Sequence, residues 1–481
     1  MSGLFRRKPI EMAATRTGPR LTASLSWPHL IALGVGSIVG TGILTLIGVG
    51  VDRAGPAVLL SFAIAGAICA CAALSYAEMA TMMPAAGSAY TYSYSVLGET
   101  IAWVVGWSLI LEYSLVVSTV AVGWSGYAAP LLIANGFPKA LTLGPSLGGI
   151  ANVPAIFIIA VVAGMLCIGT RESARLNSVL VLIKIATLAL FVGVALPAFN
   201  SANLHPFMPY GFADFGWLTQ QTATSQLDPH AAPRGVMAAA AIIFFAFYGF
   251  DAISTAAEET KRPERDLAIG IIGSMLISTL FYVLVAVAAV GAVPYLRFAG
   301  SAEPLALILR EMGQGGIAKI IAIAAIIALP TVLLGFLYGQ SRIFLVMARD
   351  GFLPPALAVI SPRGTPVRIT ILTAVIVAIL AGLLPIDEIA ALANAGTLIA
   401  FIAVAACMLV MRIRRPNAPR PFRVPAVWLV GTGAILGCLY LFASLPRMTL
   451  LCCLAWNLFG IFIYAVYGRA HSALSDVKAG A

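Results

Sequence analysis

Apolar stretches of about 20 residues recur along most of this chain. No feature constrains a fold more, because a helix of about 20 apolar residues crosses the hydrocarbon of a bilayer. We read about twelve such spans, at approximately 28–50, 56–83, 101–131, 151–169, 176–197, 236–256, 267–293, 316–347, 368–384, 388–411, 426–445 and 448–467. Of the 481 residues, 60% are hydrophobic and 10% charged, whereas soluble domains carry about 45–50% apolar and 25% charged residues. The chain therefore reads as an integral membrane protein. A membrane β-strand is an alternating segment of about ten residues; these runs are longer and continuous, so the expected class is all-α.

The formal net charge of +10 does not indicate nucleic acid, because the basic residues are spread over connecting loops. With a cytoplasmic N-terminus, the inside segments hold Arg6, Arg7, Lys8, Arg16, Arg20, Arg171, Arg175, Lys261, Arg262, Arg265, Arg349, Arg363, Arg368, the group Arg412, Arg414, Arg415, Arg420 and Arg423, then Arg469 and Lys478. That is about 20 of the 29 basic residues against about six outside, a positive-inside bias that predicts both termini in the cytoplasm. No removable signal peptide is expected in the tail 1–27. The longest loop, 198–235, is expected outside; it contains His205 and His230 but no separate domain. The seven cysteines all fall in predicted spans, without zinc-site spacing, and read as packing residues. No metal or cofactor site is expected.

Two spans contain interruptions. Residues 34–44 read GVGSIVGTGIL, and glycine at this density weakens a helix where non-helical backbone is tolerated only if buried in protein or lining a cavity. Gly36 and Gly40 form a G-x-x-x-G pair, which by itself signals close helix packing. That reading leaves Gly34, Gly42, Ser37 and Thr41 unexplained. The spacing also departs from the dinucleotide-binding pattern, and no strand precedes it. Five spans later, Ala241 to Glu259 read AIIFFAFYGFDAISTAAEE, with Gly249 two residues before Asp251. A mid-span carboxylate costs about 2.5–3.5 kcal/mol on insertion scales and usually faces a cavity or partner. Interrupted helices in corresponding places of two inverted repeats are the pattern of transporters that bind substrate near the membrane midplane.

Lys184 lies about a third of the way along the fifth span, LNSVLVLIKIATLALFVGVALPAF, with no acid near it in sequence. A lysine there either snorkels to the interface or acts as a site of reversible protonation; the depth favours the second. Glu112, in WSLILEYSL of the third span, is a candidate acidic companion.

The segments GVGSIVGTGI, LSYAEMATMMPAAGSAYTYSY, GWSLILEYSL, LVLIKIATL, FFAFYGFDAISTAAEE followed by RPERDLAIGI, and LYGQSRIFLVMARDGFLP together resemble the bacterial cationic amino acid transporter family. That family belongs to the amino acid, polyamine and organocation superfamily. The resemblance extends nearly to the end of the tenth span. It implies a leucine-transporter-type fold of five plus five inverted helices, with discontinuous helices 1 and 6 and two appended C-terminal helices. The repeats would occupy 28–197 and 236–411, the appended helices and their loop 412–467, and the cytoplasmic tail 468–481. It also implies proton-driven amino acid uptake across the inner membrane. Matched to the family's positions, Ile38, Gly40, Thr41 and Gly42 would hold the substrate carboxylate, as N–H groups freed at a half-helix N-terminus attract anions. Carbonyls of Phe245, Ala246 and Tyr248 would meet the substrate ammonium. Lys184 matches the lysine that replaces a sodium ion in proton-coupled members, contacting the first span and Thr331 of the eighth. Phe336 matches a position facing the substrate side chain, where its ring would shorten the pocket and give a guanidinium no partner. Pro330 departs from the family pattern, which places a small polar residue there.

The expected function is thus proton-coupled amino acid symport by alternating access, favouring small or medium neutral substrates. An exchanger and a cationic amino acid transporter stay open as alternatives, as does an amino acid-binding receptor or channel. An enzyme is not expected, for the chain has no nucleophile–base pair, metal cluster or phosphate loop. The expected partners are amino acid, protons and the bilayer; the sequence assigns no small membrane subunit.

Overall fold

In a computed structural model of the chain, the described residues are 6–9, 23–168, 170–212, 234–301, 303–361 and 365–472. Arg16, Arg20, His230, Arg363 and Lys478, with most of the loop 198–235, lie outside them, as do the side chains of Arg171 and Arg175. The described residues are built from helices, the only β-pairing being an isolated bridge between Leu25 and Thr260.

In chain order the helices are α1 (Trp27–Ile38), α2 (Thr41–Leu44), α3 (Leu46–Ala54), α4 (Val58–Met82), α5 (Ser88–Val96), α6 (Glu99–Ala134), α7 (Val153–Ile168), α8 (Thr170–Ala195) and α9 (Val236–Ile243). They continue with α10 (Asp251–Thr255), α11 (Pro263–Ala292), α12 (Pro304–Glu311), α13 (Gly315–Ala328), α14 (Pro330–Arg349), α15 (Val367–Leu383), α16 (Ile386–Arg414), α17 (Val427–Ala443) and α18 (Arg447–Ile463). Nine helical stretches among the described residues are long and apolar enough to cross a membrane, and α7, α15 and α17 are shorter apolar helices.

The distribution of side chains is that of a protein dissolved in lipid. Leu182, Leu276, Leu280, Leu436 and Leu429 point outward, while Glu112, Lys184, Asp251, Glu259 and Arg342 are buried. Helices α1, α4, α9 and α11 pack on one another, and α6, α7, α14, α15 and α16 form a second packed group. Helix α1 lies against both α11 and α14, between the groups.

Both readings of the glycine stretch apply, to different glycines. Gly34 lies within α1, where an added Cβ would sit 2.5 Å from Ile253 Cδ1 and Ser274 Cβ, so it allows close packing. The ladder ends where Val39 N–H donates to Val35 O at 2.9 Å, and resumes only with Leu44 N–H to Gly40 O at 3.0 Å. Gly42, beyond the break, abuts the backbone of Ala246, leaving no room for a side chain.

The predicted eighth span runs as α13 and α14, with one residue of helical backbone, Leu329, between them. Pro330 opens α14, and a proline removes the N–H that would bond the carbonyl four residues back. That carbonyl, Ile326 O, accepts instead from Trp124 Nε1 of α6 at 2.7 Å.

Candidate functional site

The two interruptions face each other across the core. After α9 the chain tightens into a 3-10 turn at Phe244–Ala246 and then passes through Gly249 at φ +120°, a conformation that favours glycine. A Cβ there would also lie 2.9 Å from Ser37 C and 3.0 Å from Ile38 N, so Gly249 permits the second break to touch the first. Asp251 then opens α10. Its Oδ1 accepts from Gly249 N–H at 3.0 Å and its Oδ2 from Tyr113 Oη–H at 2.5 Å. The mid-span carboxylate is thereby satisfied by the turn it stabilises and by α6.

Tyr282 of α11 joins the breaks. Its hydroxyl is 2.7 Å from Ile38 O and 2.8 Å from Ala246 O, carbonyls at the ends of the two interrupted helices. A buried carbonyl without a donor costs about 1–3 kcal/mol, and here one phenol serves both. The Ala246 carbonyl, expected to be left for a substrate ammonium, is therefore already engaged. The hydrogen-bonding pattern that makes this possible spans 244 and 36 residues of sequence, and a tyrosine in an apolar helix carries no local sign of it.

A cavity of about 10 Å³ lies between the breaks, lined by Ser37, Ile38, Gly40, Thr41, Gly42, Val116, Val120, Phe245, Tyr248, Val332 and Phe336. A space of that size admits about one water molecule, so an amino acid does not fit between the breaks in this conformation. The structure brings Ile38, Gly40, Thr41, Gly42, Phe245, Tyr248 and Phe336 together here, and leaves Ala246 behind the wall. The Ser37 and Thr41 hydroxyls and Tyr248 Oη are buried without a hydrogen-bond partner among the described residues. Buried polar groups are usually paired, and three hydroxyls without a partner among the described residues border this one cavity. By helix geometry the first N–H groups of α2 also lack intrahelical acceptors. Phe336, its ring 5.1 Å from Tyr113 and 6.1 Å from Tyr248 in edge-on contact, supplies the apolar wall. No acidic side chain is among the lining residues.

Lys184 of α8 is 1% exposed. It points inward: Nζ donates to Gly36 O at 2.9 Å and to Thr331 Oγ1 at 2.5 Å, and Thr331 itself donates to Gly36 O (3.1 Å) or Ala328 O (2.8 Å). Three segments distant in sequence thus meet one turn before the break in the first. Pro330 places Thr331 in the first turn of α14, where its side chain reaches α1. No ion pair of Lys184 exists among the described residues.

No hydrogen bond or ion pair joins Glu112 to Lys184 among the described residues. The Glu112 Cβ faces Gly396 of α16, and both of its carboxylate oxygens are buried without a hydrogen-bond partner among the described residues. The side chain leaves α6 on the face turned to α16, whereas Lys184 is held by α1 and α14.

Further polar contacts that sequence reading did not single out hold the frame. Asn394 Nδ2 donates to Ala241 O at 2.7 Å, where α9 gives way to its 3-10 turn, and Tyr127 Oη–H donates to Leu44 O at 2.5 Å, at the end of α2. At one end of the bundle, Arg342 of α14 pairs with Glu259 at 3.0 Å, both nearly fully buried, with its guanidinium 3.6 Å from the Tyr338 ring centroid. Removing one member of such a pair typically costs about 3–5 kcal/mol.

Comparison with known proteins agrees with this construction. Residues 25–469 match the family model described as amino acid permease. A branched-chain amino acid permease of Bacillus subtilis is 42% identical over 98% of this chain and 99% of its own length. A methylthioribose transporter of the same organism is 39% identical over 99% and 100%. The vacuolar cationic amino acid transporter 4 of Arabidopsis thaliana is 36% identical over 87% of this chain and 68% of its own length. With interrupted helices enclosing a polar-edged cavity and a match over nearly its full length, the chain belongs to the amino acid permease family of the amino acid, polyamine and organocation superfamily, multi-pass membrane proteins that transport amino acids.

Proposed function

We propose that the protein is a proton-coupled symporter of small or medium neutral amino acids. The observation that carries this reading is the pairing of two features: a cavity ringed by three unpartnered hydroxyls at two helix breaks, and a lysine one turn away with no acid in contact. The α-carboxylate would sit on the N–H groups of Gly40 to Gly42, with Ser37 and Thr41 as further donors. The carbonyls of Phe245 and Tyr248 would receive the α-ammonium, Ala246 being engaged by Tyr282.

Coupling would run through Lys184. Its proton can leave without separating an ion pair, and its ammonium bridges α1, α8 and α14 through Gly36 O and Thr331. Loss of that proton would take the charge out of both bonds and leave the weaker donors of a neutral amine, loosening the hold on α1. The two packed groups, α1, α4, α9 and α11 against α6, α7 and α14 to α16, would supply the moving and fixed parts of alternating access. We assign them to inverted repeats at 28–197 and 236–411, with twelve crossings and both termini in the cytoplasm. Glu112, turned towards α16, would act apart from Lys184 if it takes part.

Neutral selectivity is supported by the wall of Phe336, Phe245, Val116, Val120 and Val332 and by the lack of a lining acid, since a desolvated guanidinium or ammonium without a partner is costly. The branched-chain permease among the relatives is consistent with such a wall.

Proteoliposome uptake of radiolabelled amino acids, with and without an inwardly directed proton gradient, tests the proposal. Wild-type protein should accumulate alanine or valine only with the gradient. Lys184→Ala should lose accumulation yet keep measurable substrate binding, and Lys184→Arg should also fail, because guanidinium stays protonated. Gradient-driven accumulation by the alanine variant would remove Lys184 from coupling. Transport that depends only on substrate loaded inside would favour exchange.

A further inference from the structure

A second, larger cavity lies far from the helix breaks, where segment 6–9, the end of α5 and the last turn of α16 meet. It measures about 270 Å³ and is lined by Arg7, Lys8, Ser95, Met411, Arg414 and Arg415, together with Pro9 and Val96. Four of these side chains are cationic and none is acidic.

The cations are held there by the fold. Segment 6–9 is strapped to the body by Glu99 N–H to Arg6 O at 2.8 Å, Lys8 N–H to Tyr94 O at 3.3 Å and the Lys8–Asp350 ion pair at 2.6 Å. Arg7, between the two strapped residues, is exposed over the cavity. Arg414 donates one N–H to Val96 O at 3.2 Å, which fixes its guanidinium at the rim and leaves the rest of its fork available. On the wall, Ser95 is 9% exposed and its hydroxyl is buried without a partner among the described residues. Like charges gathered around one space repel unless an anion is shared among them. A guanidinium fork with a nearby hydroxyl donor suits the oxygens of a phosphate. The adjacent surface of α16 and the start of α17 is apolar and exposed at Ile413 and Leu429, which sets the cavity at the edge of the lipid-facing zone.

We propose that this cavity binds a phosphate group, with Arg7 and Arg414 supplying charge and Ser95 a hydrogen bond, the Lys8 ammonium being already paired with Asp350. The group belongs either to an anionic phospholipid headgroup or to a soluble phosphate. Basic pockets between helices at a membrane surface commonly hold anionic headgroups.

The test measures the melting temperature of the purified full-length protein in phosphatidylcholine nanodiscs, with or without phosphatidylglycerol, and separately with inorganic phosphate against matched chloride. Wild-type protein should be stabilised by phosphatidylglycerol, by phosphate, or by both; the first alone assigns a lipid headgroup, and a response to phosphate assigns a site open to the soluble ion. R7Q/R414Q should weaken the apparent affinity about 25-fold, at roughly fivefold per basic residue, and S95A should weaken it without a change of charge. R368Q, at an exposed arginine of α15, should respond like wild type. No stabilisation by either probe, or an equal response in wild type, R7Q/R414Q and S95A, would overturn the proposal. S95A alone decides the matter if the double variant does not fold.

Discussion

Replacing Tyr282 by phenylalanine removes a single hydroxyl and little else. The ring is fully buried, in edge-on contact with Phe62 at 6.2 Å and Phe247 at 5.1 Å, and phenylalanine keeps those contacts. What disappears is the donor 2.7 Å from Ile38 O and 2.8 Å from Ala246 O. One hydroxyl has one proton, so the change strands the equivalent of one buried carbonyl, at about 1–3 kcal/mol. If substrate binds only when the two breaks are held together, that energy is charged against binding, and affinity should fall by up to about 5- to 150-fold. Equilibrium binding of a radiolabelled neutral amino acid to purified Tyr282→Phe, with a melting curve on the same sample, gives both numbers. A lower melting temperature with unchanged affinity would show that Tyr282 serves the fold and not the site. Unchanged values of both would refute the reasoning about the shared donor.

Phe336→Ser should shift preference towards longer substrates in a competition assay, by no more than about 10- to 200-fold, the usual worth of a methylene or two in an apolar pocket; an unchanged ranking would place the ring outside the selectivity wall. Gly249→Ala forces a side chain into the positive-φ region and against the backbone of Ser37 and Ile38. It should cost about 1–3 kcal/mol from backbone strain alone, read as a lower melting temperature and lost substrate binding, and wild-type behaviour would mean that the breaks need not touch. A cysteine at exposed Asn417, in the loop following α16, should react with a membrane-impermeant maleimide only after cells are permeabilised. Labelling of intact cells would invert the topology.

The sequence alone determined what depends on local composition in a solvent that cannot hydrogen-bond. Run length located the apolar helices, because each must cover its own backbone. The density of glycine at 34–44 and the Gly249–Asp251 pair located the interruptions, because both are costly in hydrocarbon unless used. Lys184 stood out because a charge has few neutral explanations there, and its match to Thr331 came from family resemblance. All of the signals read from the residues themselves lie within a single span of about 20 residues.

Tertiary structure decided which groups repair the interruptions. Tyr282, Asn394, Tyr127 and Trp124 satisfy carbonyls at helix ends or beside a proline, each from another helix, and nothing local says which carbonyl each one serves. It also divided the glycines, with Gly34 packing against α11 and Gly42 admitting the backbone of Ala246. Glu112 and Lys184 are both buried ionisable residues in apolar helices, and sequence offered no reason to part them. Helix rotation did: one side chain leaves α6 towards α16, and the other reaches from α8 to α1 and α14. A residue's depth in the membrane is written in its flanking sequence, but its azimuth on the helix has meaning only once the neighbouring helices are in place.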